Sequence, residues 1–254
     1  MEYLSDRIRA LSDSQTLAMA QKSRELKAKG LDVISLSLGE PDFNTPDYIK
    51  EAAKKSIDDN YTKYPPVPGY DDLRKAISRK FREENGLEYT PDQIIVSAGG
   101  KHSLANVMLC IINPGDEVII PAPYWVSYYD QVVLAGGKPV IVEAEIENDF
   151  KVSPGQIEKA VTEKTRLLLF NSPSNPTGMV YTGNEMEAIA RVVERHEGLF
   201  VMSDEIYEHI IFEGEHVSMA SFDFIYDRVI TVNGVSKGYA MTGWRIGYLG
   251  APLW

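Results

Sequence analysis

The chain has 254 residues, 44% of them hydrophobic and 25% charged, with a formal net charge of −11. This is the composition of a globular protein with room for one large α/β core, and the acidic balance argues against a nucleic-acid partner, because no basic footprint exists to neutralise phosphates. The single cysteine, Cys110, leaves no intrachain disulfide and suits a reducing, cytoplasmic compartment. No apolar stretch is long enough for a bilayer, and the charged N-terminus offers no signal core.

Residues 1–45 read as an N-terminal arm, part of a small domain, and residues 46–254 as a large domain. In the arm, Thr16 to Lys29 has a helical pattern stopped by Gly30, and Val33 to Ser37 reads as a short strand leading into Gly39-Glu40-Pro41-Asp42-Phe43. Thr45-Pro46 reads as a helix start, with a capping hydroxyl and a proline at the first helical position. Asp71 to Asn85 is an amphipathic helix closed by Gly86. From Gln93 the rhythm changes. Short apolar runs at 94–96, 118–120, 140–142, 167–170, 199–202, 229–232 and 246–249 alternate with helical stretches at 101–112, 124–135, 156–162 and 184–196. That pattern predicts a βαβ series: an α/β fold with a doubly wound, mostly parallel sheet of about seven strands and helices on both faces. Cys110, inside the apolar run Val107 to Ile112, reads as a small buried hydrophobe.

Ligands of such sheets bind at the carboxyl ends of the strands, and the unusual residues fall there. Gly99-Gly100-Lys101-His102 follows the first strand and Asn171-Ser172-Pro173-Ser174-Asn175-Pro176-Thr177-Gly178 the fourth. Ser203-Asp204-Glu205-Ile206-Tyr207 closes the fifth, and the run Gly234 to Gly247, with Ser236, Lys237 and Arg245, follows the sixth. A lysine among small residues, with an arginine two turns further on, suits a Schiff base to an aldehyde cofactor whose phosphate the arginine holds. No metal-ligand spacing is present, and the glycine-rich turns form neither a P-loop nor a dinucleotide fingerprint.

Taken in order, these motifs resemble those of the class I/II pyridoxal-phosphate aminotransferases, the fold-type I enzymes related to aspartate aminotransferase. The resemblance runs from Gly39 to Gly247 and implies pyridoxal 5'-phosphate as cofactor. It implies that Lys237 carries the cofactor and then moves the proton between the substrate Cα and the cofactor. Asp204 would face the pyridine nitrogen, keeping it protonated so that the ring accepts electrons. Tyr207 and Asn175 would bond the phenolate oxygen. Arg245 would grip the phosphate as a guanidinium fork, with Gly100, Lys101 and His102 near it at a helix N-terminus and Ser236, beside Lys237, also on the cofactor. Trp125 would stack near the ring and flank the substrate, Gly39 would meet the substrate carboxylate, and Tyr64 would reach the phosphate of a neighbouring subunit, giving a homodimer with shared sites.

The resemblance also bears on the substrate. Lys101 matches a lysine that reads a second carboxylate in some aspartate aminotransferases, aided by hydroxyls matching Ser14 and Thr16. The expected reaction is ping-pong transamination between aspartate and 2-oxoglutarate. Prephenate or another amino-acid partner, a lyase of the same fold, or a catalytically incomplete cofactor-binding fragment are the alternatives. Members of this family are longer than 254 residues, so the chain is expected to lack their C-terminal small domain and the arginine there that binds the substrate α-carboxylate.

Overall fold

The computed structural model describes residues 3–11, 15–36 and 38–254, with the backbone alone for residues 15–17. All seven apolar runs form strands: β1 (Ile94–Ser97), β2 (Glu117–Ala122), β3 (Lys138–Glu143), β4 (Thr165–Asn171), β5 (Phe200–Asp204), β6 (Val229–Gly234) and β7 (Gly247–Gly250). They make one sheet in the order β1-β7-β6-β5-β4-β2-β3. Four neighbouring pairs are parallel, and β7 runs antiparallel to both β1 and β6. The reason is local. Between Gly234 and Gly247 the chain forms turns and one short 3₁₀ turn, Thr242–Trp244, so no crossover helix reverses its direction before β7 pairs with β6.

Helices α1 (Asp6–Arg9), α2 (Gln15–Ala28) and α3 (Asp47–Asp58) precede the sheet, and alternation along its strands supplies both layers of core. Ile119, Leu168, Phe170, Val201 and Tyr248 pack on one face against α4 (Asp71–Asn85), α7 (Pro154–Ala160) and α8 (Gly183–Arg195), through Ile77, Phe81, Ile157 and Ile189. Val118, Ile120, Leu167, Leu169, Met202 and Leu249 pack on the other, against Leu104 and Met108 of α5 (Gly100–Ile111) and Val132 of α6 (Ser127–Leu134). Helix ends follow local chemistry. Ser153 with Gln156 and Thr182 with Glu185 make capping boxes at the starts of α7 and α8, and Gly86 closes α4 in the left-handed region at φ 68°.

Four expectations fail. Val33 to Ser37 forms no strand over its described residues: Val33–Leu36 pairs with none of the seven strands, and Ile34 and Leu36 are exposed. Thr45 does not cap the next helix, Asp47–Asp58; Pro46 takes the cap position, and the Thr45 hydroxyl donates instead to the Ala240 carbonyl at 2.5 Å. The helix expected from Tyr124 begins only at Ser127, since the residues before it turn away from β2 after Pro123. Cys110 is exposed, because the sheet-facing stripe of α5 is Leu104, Val107 and Met108, and two further residues rotate by about 200° around a helix. No helix among the described residues is long and apolar enough to cross a membrane.

Candidate active site

The ends of β1, β4, β5 and β6 and the start of β7 share one edge of the sheet. Asp204, the last residue of β5, is buried there. Its Oδ2 accepts from Tyr128 Oη at 2.7 Å and its Oδ1 from the Ile206 N–H at 3.3 Å. Burial prevails over these two bonds and pushes the carboxyl up to about 6, with the neighbouring Glu205 acting in the same sense. Tyr207 follows in the same turn, and its Oη accepts from Asn175 Nδ2 at 3.4 Å. Burial and the Asp204 charge raise the proton affinity of that phenol. Asn171, at the end of β4, ties the two turns together: its Oδ1 accepts from the Asn175 N–H, and its Nδ2 donates to the Asp204 carbonyl, each at 2.7 Å.

Lys237 is half-buried just beyond β6, next to the buried Ser236. Its Nζ donates to the Gly39 carbonyl and lies 5.7 Å from the centre of the Tyr207 ring. Burial lowers its proton affinity; the Glu40 carboxylate opposes this and the Arg245 guanidinium adds to it. The segment before α3 (Asp47–Asp58) is stapled across this loop. Thr45 Oγ1 accepts from Trp244 Nε1 at 3.1 Å, and Thr242 Oγ1 donates to Glu40 Oε1 at 2.9 Å.

Arg245 sits in the left-handed region at φ 57°, a conformation that disfavours a side chain, with its Nη1 donating to the Thr242 carbonyl at 2.6 Å. Its guanidinium lies against Gly99, the residue before α5: a Cβ at Gly99 would come within 2.3 Å of Nη2. A Cβ on Gly247 would stand 2.2 Å from the Gly100 nitrogen. Glycine at both places lets β7 and its arginine close on the N-terminus of α5, whose unpaired N–H groups favour an anion.

Lys101, in the first turn of α5, sets its Nζ 4.6 Å above the Trp125 ring, and the Trp125 and Tyr128 rings meet edge to face at 5.4 Å. Burial lowers the proton affinity of Lys101 and so does Arg245, while Asp130 opposes both. Lys101, Trp125, Tyr128 and Asp204 thus form one chain of contacts. Two further expected members stand at the surface. His102 is exposed, and its Nδ1 accepts from the Ala98 N–H at 3.1 Å. Tyr64 is fully exposed and makes no hydrogen bond or ring contact among the described residues. Ser14 and the side chain of Thr16 lie outside the described residues.

The sequence assigns no role to Tyr128 or Asn171, although both touch Asp204. For Tyr128 a signal exists: it stands three residues after Trp125, and α6 begins at Ser127, so a polar aromatic facing the same strand end was readable. For Asn171 only its place as the last residue of a buried strand could have marked it.

Residues 31–253 match the family of class I and II aminotransferases. The chain belongs to that family. It is 52% identical over 262 residues to an aspartate/prephenate aminotransferase of Cereibacter sphaeroides, with 100% of this chain matching 64% of that protein. It is 51% identical to an aspartate aminotransferase of Bacillus subtilis, over 96% of this chain and 63% of that one. Its fold superposes on the Thermus thermophilus aspartate aminotransferase solved with maleate at a TM-score of 0.96 and 46% identity, covering 99% of this chain and 65% of that one. The chain therefore spans about two thirds or slightly less of the length of the relatives it matches.

Aminotransferases of this family use pyridoxal phosphate, and the residues present fit it. A buried carboxyl with a raised proton affinity suits a pyridinium partner, which would return it to the ionised form. An arginine packed on a side-chain-free helix start suits a phosphate.

Proposed function

We propose that this chain carries the cofactor-binding part of a pyridoxal-phosphate aminotransferase that exchanges the amino group of aspartate with 2-oxoglutarate in a ping-pong cycle. One observation carries the reading: Lys237, Tyr207, Asn175 and Asp204 converge on one strand edge, beside an arginine seated on the glycines that open α5. In this reading Arg245 and the first turn of α5 hold the phosphate, with Ser236 and His102 at its border. Asp204, ionised, would accept a hydrogen bond from the protonated ring nitrogen, and Tyr207 and Asn175 would bond the ring oxygen. Pyridoxal phosphate supplies an aldehyde for the amino group and a ring that accepts electrons. Lys237 does the proton work at the substrate Cα. Its half-buried place beside Arg245 keeps it nearer to neutral than a solvated lysine, as a base must be.

Lys101 over Trp125 offers a cation to a second carboxylate, which favours a dicarboxylic substrate. Ser14, Thr16 and Gly39 belong to the same proposed substrate subsite. Prephenate is also a dicarboxylic acid, and the Cereibacter relative is named for both substrates. The full exposure of Tyr64 suits a contact with a second copy, so a homodimer with shared sites is part of the proposal, as is a division into an arm at 1–45 and a large domain at 46–254. One exposed cysteine suits the cytoplasm.

The test is visible absorbance of the purified chain with pyridoxal phosphate, before and after aspartate. A Lys237-dependent band that aspartate bleaches supports the reading. Continuous release of ammonia with no 2-oxo acid present supports a lyase instead, and a band that ignores aspartate restricts the claim to cofactor binding.

A further inference from the structure

Behind Asp204, on the opposite face of β5, stands a second carboxylate, Glu205, which is fully buried. Strand alternation sends Asp204 towards α6 and sends Ser203 and Glu205 the other way, towards the layer of α4 and α8. Four donors surround Glu205. Its Oε1 accepts from Ser203 Oγ at 2.8 Å, from Ser218 Oγ at 2.8 Å and from the Met219 N–H at 3.3 Å, and its Oε2 is 3.0 Å from His216 Nε2. The Glu205 N–H donates to the Val232 carbonyl at 2.9 Å, tying the same residue to β6. A carboxylate this deep is tolerated only when its lone pairs are filled. Here three of the four donors come from one segment, His216–Met219, with no part in the proposed site.

We propose that Glu205 is a positioning residue for the cofactor: bonded to Ser203, His216, Ser218 and the Met219 N–H, it pins the Asp204–Tyr207 turn from the far side of the sheet. This rests on the reading of the preceding subsection. Asp204 and Tyr207 flank Glu205 in the chain, so one anchor fixes the group for the ring nitrogen and the group for the ring oxygen together. The anchor also sets charge. Glu205 faces His216, with Glu208 and Lys80 beyond it, and Asp204 faces Tyr128, the Ile206 N–H and Glu205. Burial would lower the proton affinity of His216, but the hydrogen bond and charge of Glu205 outweigh it and hold the imidazole above its ordinary 6.5. Among the described residues His216 Nδ1 is buried without a partner, and Glu205 is the one group bonded to this side chain.

The experiment uses Glu205→Gln, which keeps the shape and removes the charge, and Ser218→Ala, which loosens the anchor and keeps the charge. The Asp204 carboxyl is titrated by carbon NMR in the cofactor-free chain, and pyridoxal phosphate binding is measured separately. In Glu205→Gln the Asp204 midpoint falls below its wild-type value near 6. Its dissociation constant for pyridoxal phosphate rises roughly tenfold or more, the worth of one charge-assisted hydrogen bond. In Ser218→Ala the constant rises by a few fold, as for one neutral bond, and the midpoint stays in place. An Asp204 midpoint unmoved by Glu205→Gln, or cofactor binding within about twofold of wild type in both variants, overturns the role of Glu205. A wild-type chain that binds no pyridoxal phosphate counts instead against the cofactor reading itself.

Discussion

Replacing Asp204 by asparagine should make the cofactor-free chain more stable at neutral pH. The carboxyl moves from an ordinary 3.8 in the unfolded chain to about 6 in the folded one. Between about pH 4 and pH 6 the folded state therefore holds a proton that the unfolded state has lost, and stability falls as pH rises through that window. The difference of about two pH units corresponds to roughly 3 kcal/mol of burial penalty, fully present above pH 6. Asparagine carries no charge and still accepts from Tyr128 through its carbonyl oxygen. It loses the acceptor for the Ile206 N–H, at a cost of about 1 kcal/mol. The net gain is roughly 2 kcal/mol, or about 4 to 8 °C in melting temperature for a chain of this size. The assay is thermal unfolding of both proteins without cofactor at pH 7.5 and at pH 4. The gain should appear at the higher pH and vanish at the lower, where Asp204 is already protonated. A variant less stable than wild type at pH 7.5, or an equal gain at both pH values, would refute the reasoning.

Tyr128→Phe removes the 2.7 Å donor to Asp204, so the acid limb of pyridoxal phosphate binding should move up by about one to two pH units, measured by absorbance against pH. Gly247→Ala forces a Cβ to 2.2 Å from the Gly100 nitrogen and 2.3 Å from the Gly99 carbonyl carbon, all backbone, and should cost at least about 3 kcal/mol in a denaturant melt. Lys101→Met keeps a side chain over Trp125 and removes the cation; affinity for maleate should fall about tenfold while pyridoxal phosphate binding changes less, measured by calorimetry.

The sheet was readable because its strands are buried on both faces and carry continuous apolar runs, such as Leu167–Phe170, that no amphipathic helix would show. The strand edge was readable for the same reason: polar residues directly after such runs have to stand at its carboxyl end. Segments whose conformation depends on distant partners were not readable. Thr45-Pro46 has the local chemistry of a helix cap, yet the Ala240 carbonyl and the Trp244 indole, some 200 positions away, claim its hydroxyl. Val33–Leu36 has strand propensity and joins none of the seven strands. Cys110 shows the limit of composition, because an apolar run on a helix winds around it and only part can face the core. Tyr128 and Glu205 reach Asp204 from opposite faces of the sheet, and their importance comes from packing that local patterns do not encode.

The most direct test of the account is where the cofactor attaches. The chain is incubated with pyridoxal phosphate, reduced with borohydride to make the link permanent, digested and mapped by mass spectrometry. The account predicts the pyridoxyl group on Lys237, with the modification lost in Lys237→Ala. A label on Lys101 or on surface lysines at equal yield in both proteins would contradict it.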